Sequence, residues 1–153
     1  MKARLVRNTE GIEAIIRKCE VCYIGLVDED GSPYVVPMNF GFRENEIFLH
    51  SAQQGRKMDI FRRGGKVAFA FSTDHELKFQ SEHVACSYSM RYRSVLGSGK
   101  VVFIEDHEEK IDVLNVVMSQ YTDREFTYSA PSVREVACYK IIVEEITARE
   151  LGY

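Results

Sequence analysis

The chain has 153 residues, of which 45% are hydrophobic and 28% are charged, so it fits a single globular domain spanning residues 1–153. Its formal net charge of -3 gives no electrostatic drive toward nucleic acid or an anionic membrane, so both classes of partner are disfavoured. The cations of residues 1–8 are followed by no apolar segment, and no stretch is long and apolar enough to cross a bilayer, so we expect a cytoplasmic protein.

The hydrophobic pattern of the first half predicts a helix, a three-stranded meander and a second helix. Alternating apolar residues mark the strands, and the Asp30-Gly31 and Glu44-Asn45 pairs supply the turns between them. Apolar residues at helical spacing mark the helices, and Gly64-Gly65 ends the second one. The predicted helices are residues 10–18 and 56–63, and the predicted strands are residues 21–27, 34–42 and 47–51.

The second half continues the strand pattern. Residues 66–72 predict a buried strand, residues 73–83 are polar and predict a loop, and residues 85–105 predict two strand halves bent near Gly97 and Gly99. A helix over 107–121, a polar segment with Pro131 and a final strand over 136–149 complete the predicted elements. The class is mainly β: a small closed or partly open β-barrel of about six antiparallel strands with three inserted helices.

Four cysteines are present, and Cys19 and Cys22 form a Cys-x-x-Cys pair. Such a pair can be a redox couple, half of a metal site or apolar filling. Filling is favoured, because no second pair completes a zinc site and Cys22 lies in a strand pattern rather than at a helix start. We therefore expect no metal site.

The start of the second predicted helix is basic. Ser51, Arg56 and Lys57 cluster there, and the unpaired backbone N–H groups of a helix N-terminus favour a phosphate. This is not a P-loop, and a solvated basic face is the alternative. Nearby, Pro37 interrupts a strand, which marks an edge, a bulge or a place where a ligand approaches the backbone.

These motifs together resemble the FMN-binding split-barrel proteins of the pyridoxamine 5'-phosphate oxidase superfamily, and in particular their nitroimidazole-resistance branch. The resemblance spans nearly the whole chain. It rests on the order and spacing of residues 19–26, 33–40, 50–52 with 55–57, and 92–95 leading into Gly99.

The resemblance implies a homodimer with two FMN molecules at the subunit interface. Pro37, Met38 and Asn39 would follow the isoalloxazine ring, and Ser51 with the two adjacent cations would hold the phosphate. Arg93 and Ser94 would approach from the long strand, of the same or of the partner subunit. Alternatively, Arg93 pairs with a nearby acid. The implied cofactor-binding residues are Val36, Pro37, Met38, Asn39, His50, Ser51, Ala52, Gly55, Arg56, Lys57, Tyr92, Arg93, Ser94 and Val95.

The resemblance also implies an FMN-dependent oxidoreductase that passes electrons from a reduced nicotinamide to a small planar acceptor such as a 5-nitroimidazole. His50 is the candidate catalytic residue, because imidazole exchanges protons near neutral pH, although it can serve only to pack beside the flavin. FAD or another flavin stays open as the cofactor. The alternatives are a non-catalytic module that binds flavin, or haem through His50, a pyridoxamine 5'-phosphate oxidase, and a redox protein acting through Cys19 and Cys22.

Overall fold

A computed structural model describes residues 2–153, which form one antiparallel sheet and four α-helices. The strands are β1 Ala3–Val6, β2 Cys22–Val27, β3 Pro33–Met38, β4 Gly41–Arg43, β5 Glu46–Ala52, β6 Lys66–Lys78, β7 Ser89–Ile104 and β8 Val136–Leu151. The helices are α1 Thr9–Arg17, α2 Arg56–Arg63, α3 His107–Ser119 and α4 Ala130–Glu135. A 3-10 turn, Ala85–Ser87, precedes β7.

The strands follow the order β3-β2-β6-β7-β8-β5-β4, and β1 pairs with β8 outside that path. β3 and β8 are four strands apart along it, yet the Tyr139 hydroxyl on β8 lies 3.8 Å from the Met38 sulfur on β3. This contact requires the sheet to roll around its core. The result is the partly open barrel predicted from the sequence, and β1, β3 and β4 lie at its edges because each pairs with only one strand.

The core fills the inside of the rolled sheet. Alternate residues of the strands point inward, and the ends of the barrel are covered by apolar residues of α1 and α2. A smaller cluster lies on the outside of β5 and β8, where α3 packs. Phe48, Val113, Val117 and Cys138 are its main members. Successive residues along β5, and along β8, therefore face different environments: one faces the barrel core and the next faces α3.

The predicted mainly β fold is confirmed, and the count rises from about six strands and three helices to eight strands and four α-helices. The bounds of α2 agree with the prediction. The loop predicted over 73–83 is wrong in its first half, because β6 continues to Lys78 and pairs with β7. The bend expected near Gly97 and Gly99 coincides with a register shift between Ser98 and Gly99 against β8, within a single strand.

Candidate functional site

The start of α2 is open to a ligand. Gly55 precedes the helix with φ +120°, a backbone conformation reserved for glycine, and no side chain caps it. Its carbonyl accepts hydrogen bonds from the N–H groups of Met58 and Asp59 at 2.9 and 3.1 Å. The N–H groups of Arg56 and Lys57 have no earlier carbonyl of the helix to bond. This geometry suits an anion, as the sequence predicted.

Arg56 is already engaged. Its Nε donates to Asp28 Oδ2 at 2.7 Å, and its guanidinium lies over the Tyr34 ring, 4.3 Å from the centroid. Arg63, two turns later, donates to the other Asp28 oxygen at 3.0 Å. Backbone donation from Glu29 and the bond from Arg56 lower the pKa of Asp28 to about 2. The expected phosphate cation is thus shared with a carboxylate that the sequence analysis did not place here.

Ser51 and Lys57 stand beside this pair. Lys57 makes no ion pair within residues 2–153 and is half-buried. The Ser51 hydroxyl donates to the Ala52 carbonyl at 2.9 Å and lies 3.3 Å from the Met58 sulfur. Ser51 is therefore held near the end of β5, where its oxygen faces the start of α2. The next residue, Ala52, is exposed.

Tyr139 joins this phosphate-type site to β3. Its side chain is fully buried, and its hydroxyl donates to Ser51 Oγ at 3.2 Å while contacting the Met38 sulfur at 3.8 Å. Burial raises the pKa of Tyr139 to about 12, so the phenol stays protonated at neutral pH. Tyr139 therefore brings together β3 and the end of β5, two segments that were predicted to bind the same ligand. The sequence motifs did not include this residue.

β3 supplies the expected ring platform from the edge of the sheet. Pro37 is exposed and lies opposite Tyr23, and an outermost strand is where a proline is tolerated. Met38 is buried against the core, Val36 is half-buried, and Asn39 is exposed in the short link to β4.

His50 lies on the opposite side of β5 from Ser51. It stands opposite Cys138 of β8, on the face that α3 covers, and its Nδ1 is buried without a hydrogen-bond partner in the described chain. Burial lowers the pKa of the imidazole, so His50 is neutral at pH 7. The cause of the lowered pKa is burial rather than the cations at the start of α2.

Arg93 is neutralised within the chain. Its Nη1 donates to Asp74 at 2.5 Å, its Nε donates to Glu150 at 3.2 Å, and its guanidinium stacks on Tyr153 at 3.7 Å from the centroid. Glu150 also pairs with Arg4. The alternative stated for Arg93, a strand residue that pairs with nearby acids, describes this arrangement.

The β7 residues do not join the α2 site within one chain. Arg93 lies opposite Glu150 of β8, whereas Ser51 lies opposite Ala137, thirteen positions earlier on the same strand. That is about 40 Å of extended strand. Along β7, Tyr92 and Ser94 alternate with the inward Arg93 and Val95, and Val95 is fully buried in the core. Tyr92 and Ser94 therefore share the outer face of the sheet with exposed Leu96.

Asp28 and Tyr139 are the two site residues absent from the sequence prediction. Tyr139 could be found as an inward position of the last alternating strand, but nothing in the sequence shows which strand lies beside it. Asp28 lies in the β2–β3 turn with Asp30 and Gly31. Aspartates are common in turns, so the sequence gives no sign that this one binds a distant arginine.

The four cysteines lie in two different environments. All four thiols are free; Cys19, Cys22 and Cys138 are buried and Cys86 is exposed. Burial raises the pKa of Cys19 to about 11 and raises that of Cys22 further, which opposes redox reactivity at this pair. Residues 2–153 hold no cluster of three or more His, Cys, Asp or Glu side chains that could bind a metal. No helix among them is long and apolar enough to span a bilayer.

A rolled antiparallel sheet with an open, basic helix start beside an edge strand defines a small β-barrel protein with a candidate anion-binding site. The family comparison gives the particular class: residues 8–150 match the pyridoxamine 5'-phosphate oxidase family, and the chain belongs to that family. No curated protein matches the chain.

Solved structures agree with this assignment. A candidate 5-nitroimidazole antibiotic resistance protein from Bacteroides thetaiotaomicron is 41% identical, with 97% of this chain and 87% of that chain covered at a TM-score of 0.87. The FAD and heme binding protein from Mycobacterium smegmatis is 16% identical, with 97% of this chain and 74% of that chain covered at a TM-score of 0.83. The flavocytochrome Anf3 from Azotobacter vinelandii is 19% identical, with 99% of this chain and 70% of that chain covered at a TM-score of 0.81. The last two matches show a shared fold.

Proposed function

We propose that the chain is an FMN-dependent oxidoreductase that passes electrons from a reduced nicotinamide to a small planar acceptor, with a 5-nitroimidazole as the candidate acceptor. The observation that carries the proposal is the open start of α2 beside Ser51 and Lys57, which Tyr139 connects to β3. The 41% identical Bacteroides protein supports the choice of acceptor through its name.

The residues present fit a flavin phosphate and its ring. Lys57 and the first N–H groups of α2 would hold the phosphate, with Ser51 as a further donor once its hydroxyl turns from Ala52. Val36, Pro37 and Asn39 would flank the ring along the sheet edge. When bound, the flavin supplies the transfer of hydride and electrons, and the protein orients it and excludes water.

His50 is the proposed proton-handling residue. Because its ring is neutral at pH 7, His50 must first take a proton from solvent to become an imidazolium, which then gives that proton to the acceptor and returns to the neutral ring. Its buried Nδ1 has no hydrogen-bond partner in the described chain, but it faces α3, across β5 from Ser51, so contact with a ligand at the α2 site would require this face to open. The same atom favours a second candidate function, a haem-binding module with His50 as axial ligand.

We further propose that a second copy of the chain completes the site. Tyr92 and Ser94 face outward with Leu96, and in the same sheet Tyr23 and Val35 are also exposed. A homodimer that joins these outer faces would bring the β7 residues of one subunit toward the ligand of the other.

A pyridoxamine 5'-phosphate oxidase reaction is less favoured, because Arg93, one of two cations available for a second phosphate, is held by Asp74 and Glu150.

The first experiment is to purify the protein without added cofactor, record its visible spectrum and identify the small molecule released on denaturation. We expect FMN, with retention lost in an Arg56→Ala/Lys57→Ala variant and kept in the exposed control Lys100→Ala. Anaerobic turnover of a 5-nitroimidazole with a reduced nicotinamide would then test the reaction. A Soret band that disappears in His50→Ala would favour the haem module, and a protein that takes up no flavin would reject the oxidoreductase.

A further inference from the structure

A second cavity, of about 220 Å³, lies between α2, the end of β7, the start of α3 and the start of β8. None of the expected cofactor-binding residues lines it. Met58, Phe103 and Ile104 form an apolar side of this cavity, and Lys110, Arg62 and Glu105 form its charged side. The volume lies below the range of about 300–1,000 Å³ typical of drug-sized ligands, so its ligand is small.

Lys110 is the most informative residue of the cavity. It is only 8% exposed, and its Nζ donates to the Val136 carbonyl at 3.0 Å. Within residues 2–153 no carboxylate lies within ion-pair distance of it, so an ammonium with three donors has one neutral acceptor. Its place in the first turns of α3 adds to the cost, because the partial positive charge of a helix N-terminus repels a cation.

Burying an ammonium without an anion to compensate it carries a large desolvation cost. Arg62 brings a second cation to the cavity, and within residues 2–153 only one of its five N–H donors is used, in a 2.6 Å bond to the Gln53 carbonyl. Glu105 is exposed and makes no ion pair in the described chain, so it does not satisfy Lys110. The cavity thus combines two cations that have unused donors, one carboxylate and an apolar wall.

We propose that this cavity binds a small organic carboxylate, with the carboxylate held by Lys110 and Arg62 and the hydrocarbon part packed against Met58 and Phe103. A guanidinium matches the planar geometry of a carboxylate, and the apolar wall favours an organic acid over an inorganic anion. The proposal is independent of the proposed function, although Met58 also contacts Ser51 and would couple the two sites.

Sodium butyrate is the probe for the whole purified protein, measured by thermal unfolding and isothermal titration. We expect saturable binding with a Kd below about 10 mM. Sodium chloride, 1-butanol and butylamine hydrochloride control for ionic strength, the hydrocarbon chain and charge sign, and none should reproduce the effect. A wild-type protein without saturable butyrate binding would overturn the proposal.

Lys110→Met is the decisive variant. It should fold, because replacing an unpaired buried charge with an apolar side chain of similar length is neutral or stabilising. We expect it to bind butyrate at least tenfold more weakly, Arg62→Gln to bind severalfold more weakly, and Lys100→Met, which changes an exposed lysine of β7, to bind as wild type. Equal binding by Lys110→Met and wild type would reject the site.

Discussion

At the level of single residues, the phenol of Tyr139 connects the two halves of the candidate site. Its ring packs between Phe61 and Phe103, with centroids 5.0 and 5.6 Å away, and only its hydroxyl is polar. The hydroxyl donates to Ser51, which it thereby orients at the start of α2. Tyr139 is thus a positioning residue that needs no contact of its own with the ligand.

Tyr139→Phe isolates that role, because it keeps the ring and removes the hydroxyl. We expect a loss of about 1 kcal/mol in the free energy of unfolding and a two- to tenfold weaker FMN affinity, the effect of one hydrogen bond. Denaturant unfolding and flavin fluorescence titration measure the two quantities. Tyr128→Phe, which removes a bond to Asn115 far along α3, is the matched control for FMN affinity. Unchanged FMN affinity in Tyr139→Phe would argue against a positioning role.

His50 makes a prediction about pH. Burial lowers the pKa of the folded imidazole below the unfolded value of about 6.5, so between these two pKa values the unfolded chain binds more protons. The free energy of unfolding should therefore fall as the pH drops through 6.5, by less than about 1.4 kcal/mol per pH unit. His50→Gln should remove this part of the slope between pH 8 and pH 5. A variant with the wild-type slope would show that another group causes it.

At the level of elements, the start of α2 carries two cations in different states. Arg56 is paired with a carboxylate, and within residues 2–153 Lys57 is not. Asp28, from the β2–β3 turn, holds Arg56 and Arg63, whereas Lys57 has no acidic partner in the described chain. An incoming phosphate would therefore meet Lys57 first and would compete with Asp28 for Arg56. The turn and the helix together set the affinity for an anion.

Asp28→Asn tests that competition. The amide can still accept the N–H of Glu29, but it carries no charge to hold Arg56 or to repel a phosphate. We expect FMN affinity to rise severalfold, up to about tenfold. Riboflavin, which lacks the phosphate, is the control ligand, and its affinity should stay constant in the same titration. A similar rise for both ligands would place the effect outside the phosphate site.

Most elements were predictable because their local signals agree with the tertiary structure. α2 has a glycine on each side and a clear apolar face, and its bounds were predicted. β1 was missed because its four residues are largely exposed and have no alternating pattern. The second half of β6 is polar and is a strand only because β7 pairs with it. α4 did carry a signal: Ser129 caps the N–H of Ser132, and Pro131 stands in the first turn.

The site was predictable only in part, for a different reason. Ser51, Arg56 and Lys57 are close in sequence, so a local pattern located them. Asp28 and Tyr139 reach the same place from distant parts of the chain, through the rolling of the sheet. A local pattern also cannot show that Arg93 is paired twice within its own chain.

At the level of the whole molecule, the outer face of the sheet exposes several large apolar side chains. Side chains of β2, β3 and β7 are exposed on it: Tyr23 is 47% exposed, Val35 61% and Leu96 51%. The strands β3, β2, β6 and β7 are consecutive in the sheet, so these residues share one surface. An apolar surface of this kind marks an interaction site, which supports the proposed homodimer.

Leu96→Arg tests the homodimer and its link to the ligand. Wild-type protein should have twice the 17.6 kDa mass of one chain by light scattering, and the variant should be monomeric at micromolar concentration, because a charge would be buried at the interface. Its far-UV circular dichroism should stay that of the wild type, since Leu96 is half exposed in one chain. FMN affinity should fall with dimerisation if Tyr92 and Ser94 complete the partner's site. Val84→Arg, in the loop before β7, is the exposed control, and a dimeric Leu96→Arg would place the interface elsewhere.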